Sequence, residues 1–565
     1  MEWDLSIIYK NKEELYKILK DLENQANDFA LKYENNLKNE KEFENIISKL
    51  ESIYNELSRA GAYAYLHFAK DSANGAFLQE INTICTNIES KLVFFEIEFC
   101  ELENAQEIAN NCKKYSYMLN NWLKAKKYQL SKSNEQVFMK MNINGKEAFS
   151  RLFDEYLSNI TFKLDLKKIS EEELLSKLYS PDRALRKRAA DALTKGLKKN
   201  IKTLCFIFNM IKNNHLSECE LRGYENPMQA RNLSNQIEDE SVKSLIKAAE
   251  NNYHLVENYY NKKREILGLK ELKDYDRYAP LYDDISNDWD FEKSCKVVKD
   301  TFNKFSPKFA ELMQKALDNK ALDVYPAKNK RSGAFSYGIN PQPFVMLNHT
   351  NNRRDLFTLA HELGHLIHQS LAGENLGYFN ANTPLTTAET ASVFAEMLVY
   401  DAIKDTLSPK DKKALLASKI EDIFATFFRQ INFTNYEIAL HNHEGELSVD
   451  EFCDLWLAEG QKMFGSSVKL RKKYKYWFSY IPHFIHSPFY CYAYSYAQLL
   501  VLALFGLYKS GKCANFVELY TEFLASGGSR SPAELVGLFG LDLNSDEFWQ
   551  LGINEIAKMV KEFCE

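Results

Sequence analysis

A chain of 565 residues is too long for a small disulfide scaffold and long enough to form several structural units around large buried cores. Apolar residues make up 45% and charged residues 27%, while 21 Gly and 12 Pro are too few for a collagenous, low-complexity or many-turned all-β chain, so helix is the default. A net charge of -6 lacks the basic excess that a nucleic-acid or anionic-membrane surface requires, and neither partner is expected.

The start, Met1-Glu2-Trp3-Asp4-Leu5, carries acids where a secretory leader needs a basic and then an apolar stretch. The ten cysteines show no C-x-x-C pair and read as reduced, so the expected location is cytoplasmic. From residue 10 to about 200, apolar side chains recur at three and four positions, as in Leu15, Ile18, Leu19 and Leu22 or Ile46, Ile47, Leu50, Ile53, Tyr54 and Leu57, which predicts antiparallel helices. Thr161 to Asp165 alternates briefly, as a strand or a linker. Helical pattern resumes after Pro181 and breaks again near Tyr275 to Asp288.

Between Ala327 and Asn352 the texture changes. Gly333 and Gly338 bracket a short segment, and Pro343 to Asn348 is a compact apolar run; together they predict a small hairpin or sheet. Asn351 or Asn352 then offers a cap, Asp355 an acid in the first turn, and a helical run extends to Gly373. The run Tyr496 to Tyr508 is too short to cross a bilayer and reads as a buried helix.

The helix that starts near Asn352 contains His361-Glu362-Leu363-Gly364-His365. Residues four apart lie on one helical face, so two imidazoles can share one zinc ion, with Glu362 beside the water that attacks. Leu356, Leu359, Leu363, Leu366 and Ile367 give this helix an apolar surface to bury. A catalytic zinc takes a third protein ligand. His368 lies about 10 Å along the axis from His361, too far to converge with it, and the H-x-x-G-x-x-H extension is absent because 368 is His and 371 is Leu. Glu389, 389 − 365 = 24 residues after His365, sits in a second helical run that begins at Thr386 or Thr387 and can fold back beside the first. Glu396, two turns further, reads as an acid supporting the ligands.

HELGHLIHQS followed by YFNANTPLTTAETASVFAE resembles the oligoendopeptidase F branch of the M3, thimet oligopeptidase-like, family of zinc peptidases. KRSGAFSYG with PFVMLNHT, IPHFIHSPFYCYAYSYAQLL, WDLS, YDRYAPLYDD and ASGGSRSPAELVGLFGLDLNSDEFWQLGINEI are similar to other segments of that family, so the likeness spans nearly the whole chain. It implies His361, His365 and Glu389 as zinc ligands and Glu362 as general base. By analogy with related helical zinc peptidases, His483 and Tyr492 are the best match for a pair of oxyanion donors, with His486 and Tyr490 as competitors on the same substrate-facing segment. A loop ending at Pro488, with Pro as the first helical residue, is expected there. The resemblance also favours Gly333 and the strand after it as a peptide-binding edge.

The expected protein is therefore a mainly α, helical zincin-type metallopeptidase with a small hairpin or sheet beside the active-site helix and a deep substrate groove. Residues 1–200 form an N-terminal helical region and 201–565 the catalytic region. The expected activity is internal cleavage of short oligopeptides with one zinc per chain. A zinc carboxypeptidase or dipeptidase, using Arg331, Arg353 or Arg354 to hold a terminal carboxylate, and a non-catalytic peptide-binding protein are the other readings.

Overall fold

The computed structural model describes residues 1–37, 42–282 and 289–565. The expected break at Tyr275 to Asp288 is seen as turn up to residue 282; residues 283–288 lie outside the described residues. Helices dominate, as expected, with three small sheets among the described residues. The ten cysteines are all free thiols, and no helix among the described residues is long and apolar enough to cross a membrane.

Compaction follows no single cut in the sequence. One unit is assembled from Met1–Lys127, Ser286–Thr406 and Gly511–Leu541, the other from Tyr128–Ile285, Leu407–Ser510 and Asp542–Glu565. In the first unit the helices Lys12–Tyr33, Phe43–Lys70 and Gly75–Glu89 pack on one another. Their contact stripes are those of the sequence pattern: Leu15, Leu19 and Leu22 on one helix, Ile46, Ile47, Leu50, Ile53 and Leu57 on the next, each no more than 3% exposed. The motif helix runs Arg353–Asn375 and is closed at its start by a capping box in which Asn352 and Asp355 exchange side-chain-to-backbone hydrogen bonds. Leu356, Leu359, Leu363 and Leu366 are fully buried, and the helices Phe291–Phe305, Pro307–Asp318, Thr390–Ile403 and Phe516–Ala525 surround it.

The expected hairpin is two strands of a three-stranded sheet in this unit. Phe344–Met346, fully buried, is central; it pairs in parallel with Leu322–Asp323 and antiparallel with the half-buried Phe335–Tyr337 at the edge. Phe335 and Tyr337 lean on Tyr65, with ring centroids 5.6 and 5.3 Å away.

In the second unit a 40-residue helix, Arg183–Arg222, starts at the Asp182 cap and stops at Gly223, whose φ of 74° only glycine adopts cheaply. Thr161 to Asp165 belongs to a hairpin: Phe162–Leu164 pairs antiparallel with Lys167–Ile169 across Asp165 and Leu166, both at positive φ. The apolar run near the C-terminus lies in the buried helix Tyr492–Ser510, which packs on Asp546–Cys564.

Candidate active site

The first unit brings His361, His365 and Glu389 together. Glu389 Oε2 lies 3.3 Å from His361 Nε2 and 3.4 Å from His365 Nε2, and the two rings are 4.9 Å apart. One nitrogen or oxygen from each of the three residues lies within 4.8 Å of the others, the spread that a single cation can bridge. Glu389 is not inside a helix, as the sequence pattern predicts. It caps the break between a short turn of helix, Leu385–Ala388, and the helix Thr390–Ile403. Glu389 keeps φ −81° and ψ −1° at that break, and its carbonyl still accepts from the Val393 N–H at 3.1 Å. Ser392 Oγ donates to Glu389 Oε2 at 2.8 Å and to its carbonyl at 3.0 Å, which fixes the rotamer.

The crossing is tight because of Gly364. A Cβ at this position would stand 2.6 Å from the Ala391 carbonyl oxygen and 2.7 Å from Ser392 Cα, both backbone atoms. The glycine inside the motif therefore lets the two helices approach closely enough for Glu389 to reach both imidazoles. His361 Nδ1 is bonded to Glu396 Oε1 at 2.7 Å, so its other nitrogen is the one turned to Glu389. Phe394 stacks on Tyr520, whose hydroxyl donates to the Thr390 carbonyl, and this anchors the start of the glutamate-bearing helix.

The electrostatics of the cluster suit a cation. Burial lowers the His361 pKa, but hydrogen bonds to Glu389 and Glu396 outweigh it and push it up to about 10. Glu389 moves the other way: burial raises its pKa, and the bonds to His361 and His365 overcome this and hold it far below the usual carboxylate range. The acids thus favour positive charge between the imidazoles, which a divalent ion supplies without protonating the ligands. Glu362, 6% exposed, has its pKa raised by burial, with His361 and His365 opposing. His368 is buried, its pKa pushed down to about 4 chiefly by that burial, and it is hydrogen-bonded to the Ala388 backbone rather than turned to the cluster.

The aromatic segment lies in the second unit, and its register differs from expectation. Pro488 does not open the helix. Phe489 adopts φ 58° and its N–H donates to Glu437 Oε1 at 2.8 Å, so the chain turns once more and the helix starts at Tyr492. Tyr492 consequently points inward: it is 0% exposed, donates to Asn232 Oδ1 at 2.6 Å and accepts from Asn235 Nδ2 at 2.9 Å. The tyrosines beside His483 are Tyr490 and Tyr494, with ring centroids 6.1 and 5.9 Å from the imidazole, and Tyr494 Oη is 3.5 Å from His483 Nε2. Tyr490 also lies under the Arg231 guanidinium. His486 is 2.9 Å from Asp154 at the surface.

Gly333 has φ 84°, a conformation that favours glycine, and its carbonyl accepts from Asn348 Nδ2 at 2.7 Å. Sequence reading assigned no role to Gly364 or Ser392 and favoured Tyr492 and Tyr490 over Tyr494 beside His483. The spacing of A-E-T-A-S could have pointed to Ser392, which stands three residues after Glu389.

Comparison with known proteins agrees with this architecture. The chain belongs to peptidase family M3, whose model matches residues 176–555. A second model, described as Oligopeptidase F, matches residues 97–162. Oligoendopeptidase F homolog of Borreliella burgdorferi is 27% identical over 590 aligned residues, covering 99% of this chain and 98% of that protein. Oligopeptidase PepF of Bacillus subtilis is 27% identical over 540, covering 91% and 78%. Among solved structures, a putative peptidase from Chlamydophila abortus superposes with a TM-score of 0.89 at 24% identity, covering 100% of this chain and 98% of that one. Oligoendopeptidase F from Enterococcus faecium gives 0.71 at 17%, covering 98% of each. The chain is therefore a peptidase.

Proposed function

We propose that this peptidase is a zinc-dependent endopeptidase that cleaves internal bonds of short oligopeptides. The observation that carries the reading is the placement of one Glu389 oxygen almost equally far from His361 Nε2 and His365 Nε2. A zinc ion held by His361, His365 and Glu389 would polarise the scissile carbonyl and make water acidic enough to ionise near neutral pH. Glu362 takes the proton from the attacking water and passes it to the leaving amine; its burial keeps its basicity above that of a surface carboxylate. Glu396 holds His361 in the tautomer that leaves Nε2 free to ligate. His483, with Tyr494 or Tyr490, supplies hydrogen-bond donors to the oxyanion; the two interior bonds of Tyr492 make it the weakest of the tyrosine candidates. The edge strand Phe335–Tyr337, entered through Gly333, offers backbone groups to an extended peptide. In this reading the catalytic machinery lies within residues 201–565, and the enzyme works in the cytoplasm.

The test is hydrolysis of an internally quenched peptide blocked at both ends, with metal content measured on the same preparation. Internal cleavage with about one zinc per chain, abolished by chelator and by Glu362→Gln, is expected. Cleavage restricted to peptides with free ends would instead favour an exopeptidase.

A further inference from the structure

In the second unit Arg277 and Arg429 face a shared set of tyrosines, with no ion-paired acid among the described residues. Arg277 is 6% exposed, and one of its Nη atoms donates to the Tyr278 hydroxyl and, at 3.3 Å, to the Tyr474 hydroxyl. Its guanidinium carbon lies 4.5, 5.3 and 5.7 Å from the ring centres of Tyr278, Tyr474 and Phe464, and its Nε is buried without a partner. Arg429, partly exposed, stands close enough to Arg277 for mutual repulsion and faces Tyr278, Tyr480 and Tyr474. Among the described residues neither guanidinium has a carboxylate within ion-pair distance.

Arg186, the other arginine of the unit that is fully buried, is by contrast neutralised by Asp276. The two acids that precede Arg277 in sequence are committed elsewhere: Asp276 to Arg183 and Arg186, and Asp274 to Arg471. Glu421, the nearby acid, is bonded to Lys263, itself 0% exposed, and to the Tyr259 hydroxyl. Lys263 also donates to the Arg277 carbonyl. Of the three cations Lys263, Arg277 and Arg429, only Lys263 has a carboxylate within ion-pair distance among the described residues. Two guanidiniums side by side in low dielectric repel, and each repays its desolvation only through an opposite charge or several good acceptors. The local field is strongly positive. Burial alone would raise the Tyr278 phenol, but Arg277 and Arg429 outweigh it and hold its pKa below the usual value.

Such a cluster favours an anion. The cluster reaches solvent through Arg429, Tyr278 and Tyr480, each partly exposed, and through Tyr179, which is 62% exposed and packs on Tyr278 with centroids 5.2 Å apart. A planar carboxylate fits the forked donors of a guanidinium, and phenol hydroxyls can complete its remaining lone pairs.

We propose that Arg277 and Arg429, framed by the hydroxyls of Tyr278, Tyr474 and Tyr480, form a subsite that binds a carboxylate of a peptide ligand. The inference rests on the oligopeptidase reading for its ligand class and adds to it a charge preference. Arg277, packed between three rings, is the fixed charge; Arg429, nearer solvent, closes on the ligand.

The test compares binding of three N-acetylated peptides of one sequence by the full chain carrying Glu362→Gln. The first ends in a free acid, the second in an amide, and the third in an amide with a Glu side chain replacing a Gln. The acid form, terminal or side-chain, is expected to bind at least about tenfold more tightly than its neutral counterpart. Adding Arg429→Met should bring that ratio close to one, Arg429→Lys should restore part of it, and Tyr480→Phe should reduce it. A ratio carried by the first pair assigns a terminal carboxylate, and by the second an acidic side chain. Equal affinity for acid and neutral forms, or a ratio untouched by both Arg429→Met and Tyr480→Phe, overturns the proposal. Turnover of the amide peptide by the unsubstituted chain is measured separately, so failure of the peptidase reading would show there and leave the binding ratio readable.

Discussion

Replacing Gly364 by alanine tests whether the distance between two helices sets the site. Ordinary contact begins at 3.4 Å, and the added methyl would lie 2.6 Å from the Ala391 carbonyl oxygen, so the backbones must part by about 3.4 − 2.6 = 0.8 Å. Neither obstacle is a side chain that can swing away. Alanine gains roughly 1 kcal/mol of helix propensity over glycine, while overpacking a close contact costs about 1–3 kcal/mol, so the net effect on stability is small to moderate. The effect on the ligand set is larger. Metal-ligand distances tolerate only about 0.2 Å, and a shift of Ala391 and Ser392 carries Glu389 with it. Gly364→Ala is therefore expected to weaken zinc binding at least about tenfold, read by competition with a chromophoric chelator, while far-ultraviolet circular dichroism stays that of a helical protein. A variant that binds zinc as tightly as the parent, at equal or higher Tm, would refute the idea that close approach of the two helices builds the site.

Glu396→Gln keeps a hydrogen-bonding group beside His361 but removes its charge, and a drop of about 10–100-fold in zinc affinity or kcat/KM is expected from chelator competition and peptide hydrolysis. Tyr492→Phe leaves Asn232 and Asn235 without their buried partner and should lower stability by about 1–3 kcal/mol in urea titration, with little change in kcat. If Tyr494 or Tyr490 is the oxyanion donor, the corresponding Phe variant should instead lower kcat by about 100–1,000-fold, and a large kcat loss in Tyr492→Phe alone would reverse the assignment. Burial pushes the Glu437 carboxyl up to about 8 from an ordinary 4.5, against smaller opposing effects of the Phe489 N–H and Arg231. The folded chain then keeps a proton that the unfolded chain has lost, so this group's contribution is full below pH 4.5 and is lost as pH rises through 8. Glu437→Gln should flatten that decline and raise Tm at pH 8.5 relative to pH 5.5; an unchanged pH profile would show that Glu437 titrates normally.

Much of the motif helix was legible because its signals are local. Asn352 and Asp355 form the cap, and the leucines three and four apart are the buried ones. What the sequence hid depends on distant partners. The turn that shifts the tyrosine register is set by Glu437, 52 residues before the Phe489 N–H that it accepts from, so the alternation of tyrosines alone could not say whether 490, 492 or 494 faces His483. Glu389 was found by its gap to His365, yet its position at a helix break was concealed by the continuous helix-forming run Thr386 to Glu396. The isolation of Arg277 was equally hidden, since Asp274 and Asp276 look like its natural partners and both turn to other arginines.

The candidate metal centre separates two requirements that a zinc peptidase must meet together. Position is a backbone matter: Gly364 admits the second helix, Glu389 sits at the helix break, and Ser392 pins it. Charge is a side-chain matter: Glu389, Glu396 and Glu362 surround two imidazoles, an excess of acid that only a cation balances without changing the ligands' protonation. The two can therefore be broken independently. An enlarged side chain at 364 should disturb every ligand distance while leaving the charges in place, whereas Glu396→Gln should leave the distances and change the affinity. If both variants lost zinc to the same extent with the same structural change, position and charge would be one property of this site rather than two.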